Sequence, residues 1–224
     1  MNKLVAFTNK TEGRDKFCKA IQYASRYLKW YLEGKDNEDL KGRFTGLFNN
    51  MKVARKLFRL FKSVNEYKKI MDILSKKEVT QVDMLNAASR VCFLMYWVFD
   101  NLVVLSAVKF IKYDPKQLNK YGALWWFMGL VLGQAVAFIK LSELAQEEAG
   151  IRKKERNEDT KKALVQVQAK KFTEYLNIIK QGGDMITSSQ AIELPHKFGF
   201  SFNDGTVGLG GLLSAVITMY QLYP

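Results

Sequence analysis

Few side chains in this sequence stand at spacings that perform covalent chemistry. The single histidine, His196, sits beside Pro195 in a loop with no serine, cysteine or carboxylate at a motif distance that would make it a general base. Cys18 and Cys92 lie far apart without a CxxC or Cys/His pattern, which argues against a zinc site or a disulfide framework and fits a reducing, cytosol-facing setting. Gly208, Gly210 and Gly211 fall inside an apolar, helix-like run, so they form no phosphate cradle. No Walker loop, dinucleotide fingerprint, HExxH or GxSxG occurs. The expectation is a protein that is not an enzyme and has no catalytic residues, cofactor or metal.

The chemistry that does stand out is charge set against apolar surface. Lys52, Arg55, Lys56, Arg59 and Lys62 alternate with Val53, Leu57, Leu60, Phe61, Val64, Tyr67 and Met71. At about 100° per residue the apolar set shares one helical face, while Arg55, Arg59 and Lys62 point away and Lys56 sits at the boundary. The basic residues would bind acidic lipid headgroups at about 1 kcal/mol each, with Val53, Leu57, Leu60, Phe61, Val64 and Met71 inserted beneath them. The same stripe could instead pack on the preceding helix. Gly129 with Gly133, and Gly211 with Ala215, have the small-xxx-small spacing of helix–helix association. Asp100 lies inside a hydrophobic segment, where a carboxylate costs about 2.5–3.5 kcal/mol on insertion scales. That segment is an interfacial helix, a span with Asp100 facing a partner, or the core of a soluble bundle.

The elements that must carry these residues are helices. The chain has 224 residues, 48% of them apolar, and three prolines, and strand-like alternation is scarce, so the fold class is all-α. Its formal charge of +13 implies attraction to a polyanion, either nucleic acid or an acidic lipid leaflet. An amphipathic helix covers 14–32, with Phe17, Ile21, Ala24, Leu28 and Leu32 on its stripe, and a polar loop follows at 34–39. A second amphipathic helix, capped by Asn49 or Asn50, runs through Lys62 towards Leu74. Thr80 and Asp83 form a capping-box signal ahead of the hydrophobic segment 91–111. Segments 121–139 and 205–224 are uncharged and long enough to cross a bilayer, with Tyr121, Trp125 and Trp126 as anchors of the first and Tyr220 and Tyr223 of the second. They count against a nucleic-acid-binding role. Between them a charge-mixed helix, at about 142–180, is expected to bend or break at Gly182-Gly183. Two regions result: 1–85, amphipathic and surface-seeking, and 86–224, membrane-inserting.

Three stretches carry a family resemblance. Lys10-Thr11-Glu12-Gly13-Arg14-Asp15-Lys16-Phe17-Cys18-Lys19-Ala20-Ile21-Gln22-Tyr23-Ala24-Ser25-Arg26 resembles the N-terminal signature of the peroxin-eleven family, with its Arg-Asp-Lys and Ile-Gln-Tyr series. Residues 54–62, Ala-Arg-Lys-Leu-Phe-Arg-Leu-Phe-Lys, resemble its amphipathic-helix signature, and the glycine-rich apolar helix closing in Tyr220-Gln221-Leu222-Tyr223-Pro224 is similar to its C-terminal segment. The resemblance stops close to Pro224, without the basic tail that some relatives carry, so no function of such a tail is expected from it. The resemblance implies an integral protein of the peroxisomal membrane, or the glycosomal membrane where that organelle exists, that self-associates and promotes elongation, fission and proliferation. It further implies partners in the dynamin-type fission machinery and the peroxisomal membrane-protein import receptor, and an alternative role as a pore for small metabolites.

No secretory signal pattern opens the chain, and Gln221-Leu222-Tyr223-Pro224 is no Ser-Lys-Leu-type address, so internal signals are expected to direct it. Basic residues crowd the first half and 140–171, which favours the cytosolic side for both. If 91–111 spans, three crossings leave the C-terminus in the lumen. If it does not, two crossings return it to the cytosol.

Overall fold

Long runs of helix-forming residues, interrupted by short polar stretches, give eight α-helices among the described residues. The computed structural model describes residues 2–155 and 157–224. The helices are α1 (Asn2–Asn9), α2 (Thr11–Tyr31), α3 (Glu38–Phe58), α4 (Lys62–Leu74), α5 (Gln81–Ala107), α6 (Pro115–Arg152), α7 (Glu158–Ala191) and α8 (Asp204–Leu222), with a short 3₁₀ turn at Pro195–Phe198. Side chains close several N-termini. Thr80 and Asp83 form the expected capping box on α5, with Asp83 N donating to Thr80 Oγ1 at 3.1 Å and Thr80 N to Asp83 Oδ2 at 3.2 Å. Asn157 and Thr160 repeat the device on α7, and Asn203 accepts from Thr206 N at 2.8 Å on α8.

The three hydrophobic segments lie on α5, α6 and α8, each long and apolar enough to cross a membrane. Several expected boundaries move. Asn49 and Asn50 lie inside α3, which begins at Glu38 behind the loop. The break comes later, at Arg59–Phe61, where Phe61 adopts a left-handed backbone (φ 59°) that a bulky residue reaches only against steric cost. This turn lets α3 lie along α2 while α4 swings onto α5. Segment 91–111 stops being helical after Ala107, and Lys109 is also left-handed.

The charge-mixed stretch is two antiparallel helices, not one. α6 continues past Lys140 to Arg152, about 18 Å further. α7 returns alongside it, tied by Lys171 Nζ to Glu148 Oε2 at 2.8 Å. Gly182-Gly183 makes no break, and α7 runs through it. Gly183 instead lets α7 approach α8 backbone to backbone: a Cβ on Gly210 would stand 2.9 Å from the Gly183 carbonyl oxygen. On its other side α8 offers Gly205, Gly208 and Gly211 to Trp30, Tyr27 and Tyr23 of α2. These aromatics fill the space side chains would take.

Packing closes on itself. α2 rests on α3, the α3–α4 arm on α5, α5 on α6, α6 on α7, α7 on α8, and α8 returns to α2. The regions 1–85 and 86–224 therefore share one ring. Lys10 Nζ donates to the Leu222 carbonyl at 3.2 Å, and the Phe7 and Tyr223 rings lie 6.2 Å apart, so the two chain ends meet. They lie at the end of the ring from which the α6–α7 hairpin projects. Neither expected membrane topology has that geometry, because α7 runs back between α6 and α8.

Two outcomes follow from this packing. A Cβ added at Gly182 would meet nothing within 4 Å, so Gly182→Ala should be tolerated with a gain of about 1 kcal/mol from helix propensity. Gly183→Ala should lose about 1–3 kcal/mol by pushing α7 off α8, and thermal melts in detergent distinguish the two. In intact organelles, tags at both chain ends and a protease site in the hairpin tip should show the same accessibility; opposite accessibility of the end tags would contradict the ring.

Candidate functional site

The amphipathic α3–α4 arm is oriented opposite to a helix packed on a water-soluble core. Its apolar residues face outward: Val53 is 64% exposed, Leu57 59%, Phe61 74% and Val64 60%, with Leu60, Tyr67 and Met71 also exposed. The stripe does not pack on α2. Its basic residues turn inward. Arg55 Nε donates to Asp15 Oδ1 at 3.0 Å and Arg55 Nη1 to Gln22 Oε1 at 2.8 Å. Arg59 Nη2 and Lys56 Nζ converge on Asp100 Oδ1 at 3.0 and 2.8 Å, and Arg59 Nη1 reaches Tyr96 Oη at 3.2 Å. Lys62 Nζ pairs with Glu12 at 3.2 Å. Of the five residues expected at lipid headgroups, Arg55, Lys56, Arg59 and Lys62 are thus engaged with carboxylates of the ring, and Lys52 is exposed. The reason is tertiary: their counter-charges arrive from α2 and α5.

α2 follows the same rule, with Phe17 outward and Asp15, Lys19 and Gln22 buried. Asp15 is wholly enclosed. Burial pushes its carboxyl up, but Lys16 and Arg55 outweigh that and hold it well below the usual carboxylate range. Lys19 donates to Asp184 Oδ1 at 2.6 Å and to Ser214 Oγ at 2.8 Å. Burial draws its ammonium down to about 8, against the opposing pull of Asp184. Glu66, also buried, takes Lys69 at 2.7 Å and Arg90 at 3.4 Å. Asp15, Lys19, Asp184 and Glu66 are charges of the interior that sequence reasoning did not single out. Their signal was position on the charged side of amphipathic stripes, and for Asp15 and Lys19 also a place in the N-terminal signature.

Two cavities open inside the ring, one of about 390 Å³ and one of about 550 Å³. Tyr23, Arg55, Arg59, Tyr96 and Trp126 line both, so they form a partition between them. Asp100 lines the larger cavity. The small residues expected to associate helices do so within the chain. A Cβ on Gly129 would meet Phe93 at 3.1 Å, Gly133 sits against Ser89 and Gln181, Gly211 against Tyr23, and Ala215 is wholly buried. His196 is exposed in the 3₁₀ turn, Cys18 and Cys92 are unpaired, and no metal-ligating cluster occurs among the described residues.

No solved structure matches the chain. A peroxisomal membrane protein 11 homolog of Dictyostelium discoideum is 27% identical, covering 100% of this chain and 94% of the relative. Peroxisomal membrane protein 11C of Arabidopsis thaliana is 26% identical over 99% of this chain and 91% of its own length, and the Saccharomyces cerevisiae peroxisomal membrane protein PMP27 is 22% identical over 100% and 94%. The family model for peroxisomal biogenesis factor 11 (PEX11) matches residues 1–223, and the chain belongs to that family of peroxisomal membrane proteins.

Proposed function

We propose that this protein elongates the peroxisomal membrane ahead of fission by setting the outward apolar face of the α3–α4 arm into one leaflet. The observation that carries this reading is the uncovered row Val53, Leu57, Leu60, Phe61, Val64 and Met71 on an arm whose polar side is locked to the ring. A bulky apolar face held at one depth displaces lipid on one side of the bilayer and favours curvature. Lys52 supplies the headgroup contact, since the other four basic residues are engaged within. Self-association would multiply the effect across a patch of membrane. Recruitment of the dynamin-type fission machinery, and delivery by the peroxisomal membrane-protein import receptor, complete the reading through the family.

The closed ring supports a second reading, a pore for small metabolites, because its cavities meet at a partition of two arginines and three aromatics. Asp100, the carboxylate inside a hydrophobic segment, lines the larger of them.

The readings separate by experiment. Leu57→Glu combined with Phe61→Glu should abolish liposome tubulation by the purified chain while carbonate-resistant membrane association persists, because both side chains are exposed. Undiminished tubulation by that variant would remove the wedge. In planar bilayers, Asp100→Asn strips the counter-charge from Arg59 and Lys56 and should shift the reversal potential toward anion selectivity. An unchanged selectivity, or no conductance from the unmodified chain, would remove the pore.

A further inference from the structure

The smaller cavity carries more positive charge than its own carboxylates balance. Nine lysines and arginines line it against three carboxylates, Glu12, Glu66 and Asp184. Asp15 and Asp100 stand behind the wall and pair with Arg55 and Arg59, which still leaves four cations in excess. Two of the cations have no carboxylate partner among the described residues. Lys180 Nζ bonds only to the amide oxygens of Gln221 at 2.8 Å and Asn177 at 3.0 Å, and Lys140 takes part in no ion pair or side-chain hydrogen bond there. Arg59, itself buried, keeps an Nε–H donor without an acceptor. Such a site is a poor resting place for cations and a prepared one for an anion.

We propose that this cavity binds a phosphate-bearing ligand, with Lys140 and Lys180 as its principal contacts. Charge selects the class. A single carboxylate would neutralise one of four excess charges, whereas each phosphate monoester brings about −1.5 to −2 at pH 7, so two phosphates balance the site. Size agrees: about 390 Å³ is too large for a lone chloride and falls in the range of small-molecule sites. Phe93, Tyr96, Trp97 and Trp126 also line the cavity and offer apolar surface suited to the organic part of an organic phosphate. Half-exposed Glu12 and Lys69 mark the mouth. The phosphate can belong to a soluble metabolite or to a phospholipid headgroup. This site requires neither that the ring conduct nor that the α3–α4 arm bend membranes.

The test uses the full chain in phosphatidylcholine nanodiscs, titrated with pyrophosphate, and in a parallel arm its capture of vesicles containing a phosphoinositide. Lys140→Gln with Lys180→Gln should weaken binding at least tenfold. Lys153→Gln with Lys154→Gln, on the exposed hairpin tip, should leave it unchanged. Neither substitution in the cavity orphans a carboxylate, so the ring should still fold. Should the cavity variant fail to fold, amine labelling of Lys140 and Lys180 in the unmodified chain should slow several-fold in pyrophosphate or phosphoinositide. Lysine-dependent binding of pyrophosphate assigns the site to a soluble phosphate, and lysine-dependent binding of the phosphoinositide alone assigns it to a lipid. Binding of neither probe, binding that ignores the two lysines, or labelling that neither probe slows overturns the proposal.

Discussion

The fold turns on one carboxylate, Asp100, which lies on a helix apolar enough to cross a membrane and receives two cations from a separate arm. Arg59 and Lys56 both reach it, and both belong to the stretch where α3 ends. A buried charge of this kind is a weak source of net stability, yet removing one partner leaves the other exposed to its full desolvation cost, about 3–5 kcal/mol. The pair therefore fixes where the α3–α4 arm must sit more than it strengthens the whole. Asp15 does the same from α2 through Arg55, four residues before Arg59 on the helix. The arm is pinned at successive turns by α2 and α5, and the ring closes around those pins.

Around that polar interior the outer face carries apolar side chains on every side, from Phe17 on α2 through Val91 on α5 and Met128 on α6 to Leu213 on α8. This is the distribution expected where the surrounding solvent is hydrocarbon: lipid offers no hydrophobic drive for helices to associate, so close backbone packing and polar contacts hold them. The protein uses both. Glycines set α8 against α7 and α2, and ion pairs and a Ser89 Oγ donation to the Gly129 carbonyl at 2.8 Å link the rest.

The sequence made the helices legible because their signals are local. The Thr80–Asp83 box, the uncharged runs of α6 and α8, and the amphipathic period of α2 are properties of neighbouring residues. Periodicity locates a stripe but not which way it faces; that depends on whether water or lipid lies outside and on partners forty residues away, such as Asp15 for Arg55. Gly182-Gly183 shows the same limit. A glycine pair reads as a breaker in isolation, and only Gly210 on α8 reveals Gly183 as a crossing point. Asp100 was recognisable as a carboxylate in need of a partner, but the partner's identity was a matter of tertiary structure.

The inward turn of the basic face also constrains the action on a membrane proposed for the arm. Leu57 lies between Arg55 and Arg59 in sequence and on the opposite side of the helix. Rotating α3 to present the arginines to headgroups would bury Leu57 and strand Asp15 and Asp100 without counter-charges. Headgroup attraction returns about 1 kcal/mol per basic residue, less than the loss of either buried pair. Arg55 and Arg59 therefore cannot serve the interior and the lipid surface at once. On the proposed reading, curvature would come from the volume of the apolar face at a fixed depth, and the charged interior is the clamp that keeps that face turned outward.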